Sequence, residues 1–122
     1  MSTEDRPICG KRILVIEDEF LVALSIASIL EGHGAIAVGP VGTLCDALKR
    51  GGESLDGAVL DLVLGHETSL PVARLLRQRK IPFILMTAHC EEAIPHELDG
   101  APRLPKPFEE GALLKACQSA FA

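Results

Sequence analysis

A chain of 122 residues, 48% hydrophobic and 24% charged, has the size and make-up of one folded domain; this sets aside wholesale disorder, collagen-like repeats and a two-domain layout. Four Phe with no Trp and no Tyr leave an aliphatic core and no aromatic row for stacking bases, and a net charge of -5 argues against a nucleic-acid-binding module, whose footprint is a basic face. No run of about 18 apolar residues marks a membrane span, the polar start Met1–Pro7 lacks the apolar core of a signal peptide, and a cytoplasmic protein is expected.

Residues 1 to about 10 read as a flexible arm, and one domain is expected over 11–122. Arg12–Ile16 is a short β-branched apolar run that stops at Glu17, Asp18 and Glu19, the pattern of a buried strand. Phe20–Leu30 follows at helical spacing, with Phe20, Ala23, Leu24, Ala27 and Leu30 on one face and Val22, Ile26 and Ile29 widening it, so this helix is expected to be well buried. Ala35–Val38 is the second strand, broken by Gly39-Pro40. Thr43 with Asp46 suggests a capped short helix to about Arg50. Gly57–Asp61 is the third strand, and Leu70–Arg79 a helix with Val72, Leu75 and Leu76 inward. Pro82–Thr87 is the fourth strand. Cys90–Leu98 is a weak helix shortened by Pro95. Ala101–Leu104 is a modest fifth strand. Glu109–Phe121 is a clear amphipathic helix, with acids at the end the macrodipole favours.

Strands apolar on both faces, alternating with helices, imply a parallel sheet covered on both sides. Cys9, Cys45, Cys90 and Cys117 are too far apart for a CxxC motif, which argues against zinc; they are read as reduced thiols serving mostly as small hydrophobes.

In an open parallel sheet, ligands bind beyond the carboxyl ends of the strands. Those ends carry Glu17, Asp18 and Glu19, then Asp61, then Thr87, with Lys106 after the last strand. Any one of these acids alone reads as a helix cap or a solvated loop residue. Together they repel one another unless a cation binds. Oxygen-only ligands point to Mg²⁺ or a similar hard ion. With a Lys and a Thr hydroxyl beside them, they suit transfer of a phosphoryl group onto a carboxylate.

The segments Ile13-Leu14-Val15-Ile16-Glu17-Asp18-Glu19, Ala58-Val59-Leu60-Asp61-Leu62, Leu85-Met86-Thr87-Ala88 and Leu104-Pro105-Lys106-Pro107-Phe108, in this order and spacing, resemble the receiver domain of bacterial two-component response regulators. The resemblance runs from about Lys11 to the C-terminus. It implies a CheY-like, flavodoxin-like (βα)5 fold of five parallel strands. It makes Asp61 the phospho-acceptor and Asp18 a Mg²⁺ (or Mn²⁺) ligand, with Asp61 and the Val63 carbonyl also on the metal and Glu17 assisting through water. It gives the Val63 and Ala88 N–H groups to the phosphoryl oxygens, makes Thr87 the switch hydroxyl, pairs Lys106 with Asp61 or its phosphate, and implies a cis Lys106–Pro107 bond.

Two positions depart from the family pattern. Arg103 stands three residues before the lysine, where a switch Tyr or Phe is usual, and Pro95 interrupts the fourth helix. Arg103 reads either as a solvent-facing edge residue or as a contact to a partner or to Glu91 or Glu92. The basic run Arg74, Arg77, Arg79 and Lys80 reads as a solvated face or a dock for an acidic partner. His89 reads as a loop residue or as a tuner of phosphate hydrolysis.

The resemblance implies a single-domain response regulator. A sensor histidine kinase or histidine phosphotransfer protein donates to Asp61, and output passes by protein–protein contact or onward phosphotransfer. The chain is then a phospho-acceptor with self-phosphorylation and self-dephosphorylation chemistry, not an enzyme, and a monomer or weak dimer that binds neither nucleic acid nor membrane. The alternatives are a degenerate receiver acting as an interaction module, an FMN-binding flavodoxin-like domain, and an Asp-nucleophile phosphohydrolase. FMN is disfavoured by three acids where a phosphate loop belongs, and the phosphohydrolase by Glu17-Asp18-Glu19 lacking two Asp at its spacing.

Overall fold

Successive residues of the central strands point alternately into two apolar layers. Leu14, Ile16, Ala58, Leu60, Phe83 and Leu85 enter one layer, while Ile13, Val15, Val59, Ile84 and Met86 enter the other. This is the period of a strand buried on both faces. The computed structural model describes residues 8–87 and 94–121.

The elements are β1 (Arg12–Ile16), α1 (Phe20–Gly32), β2 (Ile36–Val41), α2 (Leu44–Arg50), β3 (Gly57–Asp61), β4 (Val63–Leu64), β5 (Glu67–Thr68), α3 (Leu70–Gln78), β6 (Phe83–Thr87), a 3-10 turn at His96–Leu98, β7 (Arg103–Pro105) and α4 (Glu110–Phe121). The main sheet has the order β2-β1-β3-β6-β7, with every pairing parallel. Val72, Ala73 and Leu76 of α3 and Ala47 of α2 fill one layer; Ile26 and Leu30 of α1 and Leu113, Cys117 and Phe121 of α4 fill the other. The parallel, doubly covered sheet expected from the sequence is what forms. Among the described residues, no helix is long and apolar enough to cross a membrane.

Two local devices fix the frame. The Thr43 hydroxyl accepts the Asp46 N–H at 3.2 Å, so the expected α2 cap is present. Gly57 opens β3 because a Cβ there would lie 2.6 Å from the Phe121 ring. Only a residue without a side chain lets α4 close over the sheet at this point.

Several expectations are corrected. Gly39-Pro40 does not end β2. The strand continues to Val41 through a cis Gly39–Pro40 bond and a register shift against β1. It is an edge strand, where a missing N–H and a bulge are tolerated. Residues 8–10, expected to belong to a flexible arm, are held on the domain: Ile8 is buried in the α1/α4 layer and the Gly10 N–H donates to Gly34 O at 2.8 Å; residues 1–7 lie outside the described residues. In α1 the buried face is Ala23, Ile26, Ala27 and Leu30, while Phe20 and Leu24 are exposed. At about 100° per residue both lie to one side of the stripe Ala23, Ile26, Ala27 and Leu30 that is buried. Leu75 is only half-buried, and Ala73 takes an inward place in α3. Of the expected helix over 90–98, the described part, from Ile94 on, is a single 3-10 turn following Pro95. Cys9 and Cys45 are exposed thiols; Cys117 alone of the described cysteines behaves as a core hydrophobe, burial pushing its thiol up to about 12. Cys90 lies outside the described residues.

Candidate functional site

The chain leaves β1 toward β2 on one side and returns to β3 on the other. The carboxyl ends of β1 and β3 therefore flank the switch point of the sheet, with Ile16 beside Leu60 in register. Glu17, Asp18 and Glu19 follow β1, and Asp61 ends β3. Glu19 occupies the N-cap of α1 but makes no side-chain cap hydrogen bond, so capping does not explain the acids here. One ligand atom each from Glu17, Asp18 and Asp61 lie within 4.8 Å of one another.

Lys106 reaches into this cluster from the turn after β7, placed by its own N–H donating to Thr87 O at 2.7 Å. Its Nζ donates to Glu17 Oε1 and to Asp61 Oδ2, each at 2.7 Å, and stands 3.7 Å from Glu19 Oε1. The lysine is followed by a cis peptide bond to Pro107, as the resemblance implied. Burial alone would lower the Lys106 pKa; its hydrogen bonds to Asp61 and Glu17 outweigh that and hold it above the ordinary range. Glu17 has a fully buried side chain, and its carboxyl is pushed up to about 7, chiefly by that burial, against the pull of Lys106 and with the Asp61 charge adding to it.

Asp61 is held at both oxygens: Oδ2 by Lys106, and Oδ1 by the Val63 N–H at 3.0 Å. Val63 opens a small antiparallel hairpin, β4 against β5, with Val63 opposite Thr68 and Leu64 opposite Glu67. Its turn at Gly65 closes on the site, the Gly65 N–H donating to Asp18 Oδ2 at 2.8 Å. The hairpin was missed in the sequence. Its signal is there, two short runs about Gly65-His66, but each is only two residues long.

The structure thus brings Glu17, Asp18, Asp61, Val63 and Lys106 together. Thr87 is buried at the carboxyl end of β6, beside Pro105 in register. Ala88 and His89 lie outside the described residues, as do Glu91 and Glu92. Arg103 is exposed on β7, opposite Leu85. The basic run is largely occupied within the chain. Arg74 grips Glu97 with two hydrogen bonds of 2.7 Å. Arg77 donates to the Glu97 carbonyl and lies 5.7 Å from the Phe83 ring centroid. Arg79 donates to the carbonyls of Gly51 and Glu53. These arginines tie α3 and its C-terminal end to neighbouring segments.

The residues fit a hard divalent cation. The donor set is all oxygen, and Glu17 Oε2 is buried without a hydrogen-bond partner among the described residues, a cost that a cation or a cation-bound water would remove.

No protein-family model matches the chain. It is 33% identical over 102 residues to the Phyllosphere-induced regulator PhyR of Methylorubrum extorquens AM1, a match that takes in 80% of this chain and 38% of that protein. The chain therefore spans well under half the length of this curated relative. The solution structure of SdrG from Sphingomonas melonis Fr1 superposes with a TM-score of 0.77 at 37% identity, over 88% of this chain and 92% of that one. The receiver domain of sensor histidine kinase PA1611 from Pseudomonas aeruginosa PAO1 has a magnesium ion coordinated in its active-site cleft. It superposes with a TM-score of 0.80 over 93% of this chain and 98% of that one; at 22% identity the likeness is one of fold.

Proposed function

Since the chain belongs to the receiver-domain family of response regulators, we propose that it accepts a phosphoryl group on Asp61 from a phosphohistidine of a sensor kinase or a histidine phosphotransfer protein. The observation that carries this reading is the Asp61 carboxylate, held between Lys106 Nζ and the Val63 N–H where Glu17 and Asp18 converge.

One Asp61 oxygen attacks phosphorus, the P–N bond to the donor imidazole breaks, and that nitrogen keeps the electron pair. The product is an acyl phosphate. Lys106 starts on an Asp61 oxygen and has a mobile point charge to offer the incoming phosphoryl oxygens. The Val63 N–H, the Ala88 N–H and the Thr87 hydroxyl are the remaining donors to those oxygens. Mg²⁺ (or Mn²⁺), held by Asp18, Asp61 and the Val63 carbonyl with Glu17 assisting through water, would neutralise charge on the equatorial oxygens. Water later attacks phosphorus, the bond to Asp61 breaks, and inorganic phosphate leaves.

The chain is thus a phospho-acceptor rather than an enzyme with a separate substrate, acting in the cytoplasm. Its signal leaves by contact with a protein target or by onward transfer. An exposed Arg103 in the place of a switch aromatic means that Thr87 has no aromatic partner at this position, so the output route differs from Thr–aromatic coupling. Incubation with Mg²⁺ and a small phosphodonor, followed by intact mass, tests the reading: one phosphoryl adduct is expected in the native chain and none in Asp61→Asn. No adduct in either would favour a phosphorylation-independent interaction module.

A further inference from the structure

The three clustered carboxylates are not held alike. Lys106 compensates Glu17 and Asp61 at 2.7 Å and approaches Glu19 at 3.7 Å, but no cation among the described residues pairs with Asp18. Asp18 is also exposed. Repulsion from its neighbours should swing such a side chain outward into solvent. Among the described residues one donor holds it instead, the Gly65 N–H at 2.8 Å, on Oδ2.

The same bond fixes the hairpin. The base is anchored by the Ser69 N–H on Leu62 O; beside the turn Leu64 is buried in the core, and the Gly65 N–H ties the turn itself to Asp18. Gly65 has φ +61, a left-handed conformation that a β-branched residue adopts only under strain, so a Val there would disturb the turn that carries this N–H.

We propose that Gly65 is a positioning residue for the cation site: its N–H fixes one Asp18 oxygen and leaves the other to the metal, so hairpin and metal site form one coupled unit. The inference rests on the metal-binding reading above. Ligating carboxylates are commonly oriented by such an outer hydrogen bond, and losing it typically weakens metal affinity by about 10–100-fold.

The test is titration with Mg²⁺ alone, followed by calorimetry and by amide resonances, on the native chain, Gly65→Val and Gly65→Asn. Asn tolerates the left-handed conformation and keeps the N–H in place. Gly65→Val should bind Mg²⁺ at least about tenfold more weakly, and Gly65→Asn within about threefold of native. In the native chain the Gly65 amide proton should stay protected from exchange with and without Mg²⁺, a result that holds the inference to account even if Gly65→Val does not fold. Equal affinities in all three chains, or a Gly65 amide exchanging as in an open chain, would overturn the inference while leaving metal binding intact. A native chain that takes up no Mg²⁺ overturns both.

Discussion

Lys106 and Glu17, 89 residues apart in sequence, meet at 2.7 Å inside the acidic cluster, and the same ammonium lies 2.7 Å from Asp61. One lysine therefore compensates two carboxylates that the fold forces together. Replacing it leaves both without a cation. Lys106→Met should lower stability by about 1.5–3 kcal/mol, the range for losing a charged hydrogen-bond partner, as read by denaturant unfolding. Stability equal to native would show that the ion pairs are too solvated to matter.

The Glu17 carboxyl gives the site a pH dependence of known sign. Burial lifts its pKa from 4.5 to about 7 in the folded chain. Between those values the folded state binds more protons than the unfolded state, so stability falls as pH rises through this window. In metal-free buffer the unfolding free energy should decline from about pH 4.5 to 7, and Glu17→Gln should flatten that slope. A slope of opposite sign in the native chain would contradict the assignment.

Ser69 precedes α3 without capping it through its side chain, and its Oγ is buried with no hydrogen-bond partner. The Val72 and Ala73 N–H groups go to the Ser69 carbonyl, which any residue supplies. Removing an unsatisfied buried hydroxyl relieves a desolvation cost of roughly 1 kcal/mol. Ser69→Ala should leave the melting temperature unchanged or raise it, whereas the same change at an ordinary Ser cap lowers it.

Gly57 meets the Phe121 ring so closely that an added Cβ must displace it. Gly57→Ala should cost about 1–3 kcal/mol by overpacking. Thermal unfolding of Gly57→Ala, Phe121→Leu and the double variant checks this; the double variant should lose less than the sum of the singles, because the smaller side chain vacates the clash.

The five-strand parallel sheet was legible because its strands are apolar on both faces and stop at polar residues. The strand ends also carry Glu17, Asp18 and Asp61, and the turn after the last strand Lys106, which the fold brings together. What escaped lay where periodicity carries little information. Pro40 reads as a strand breaker, yet an edge strand with a register shift tolerates a residue without an N–H. The exposure of Phe20 and Leu24 depends on where α1 meets the sheet, which the spacing of apolar residues does not encode. The Asp18–Gly65 bond joins two residues 47 apart through a backbone N–H, a donor every residue but proline has.

Asp61 is the proposed acceptor of the phosphoryl group. Intact mass after incubation with Mg²⁺ and a small phosphodonor tests it most directly. One added phosphoryl group is expected on the native chain, lost on chelation of the metal before donor is added, and absent in Asp61→Asn. An unmodified native chain, or an adduct that persists in Asp61→Asn, would contradict it.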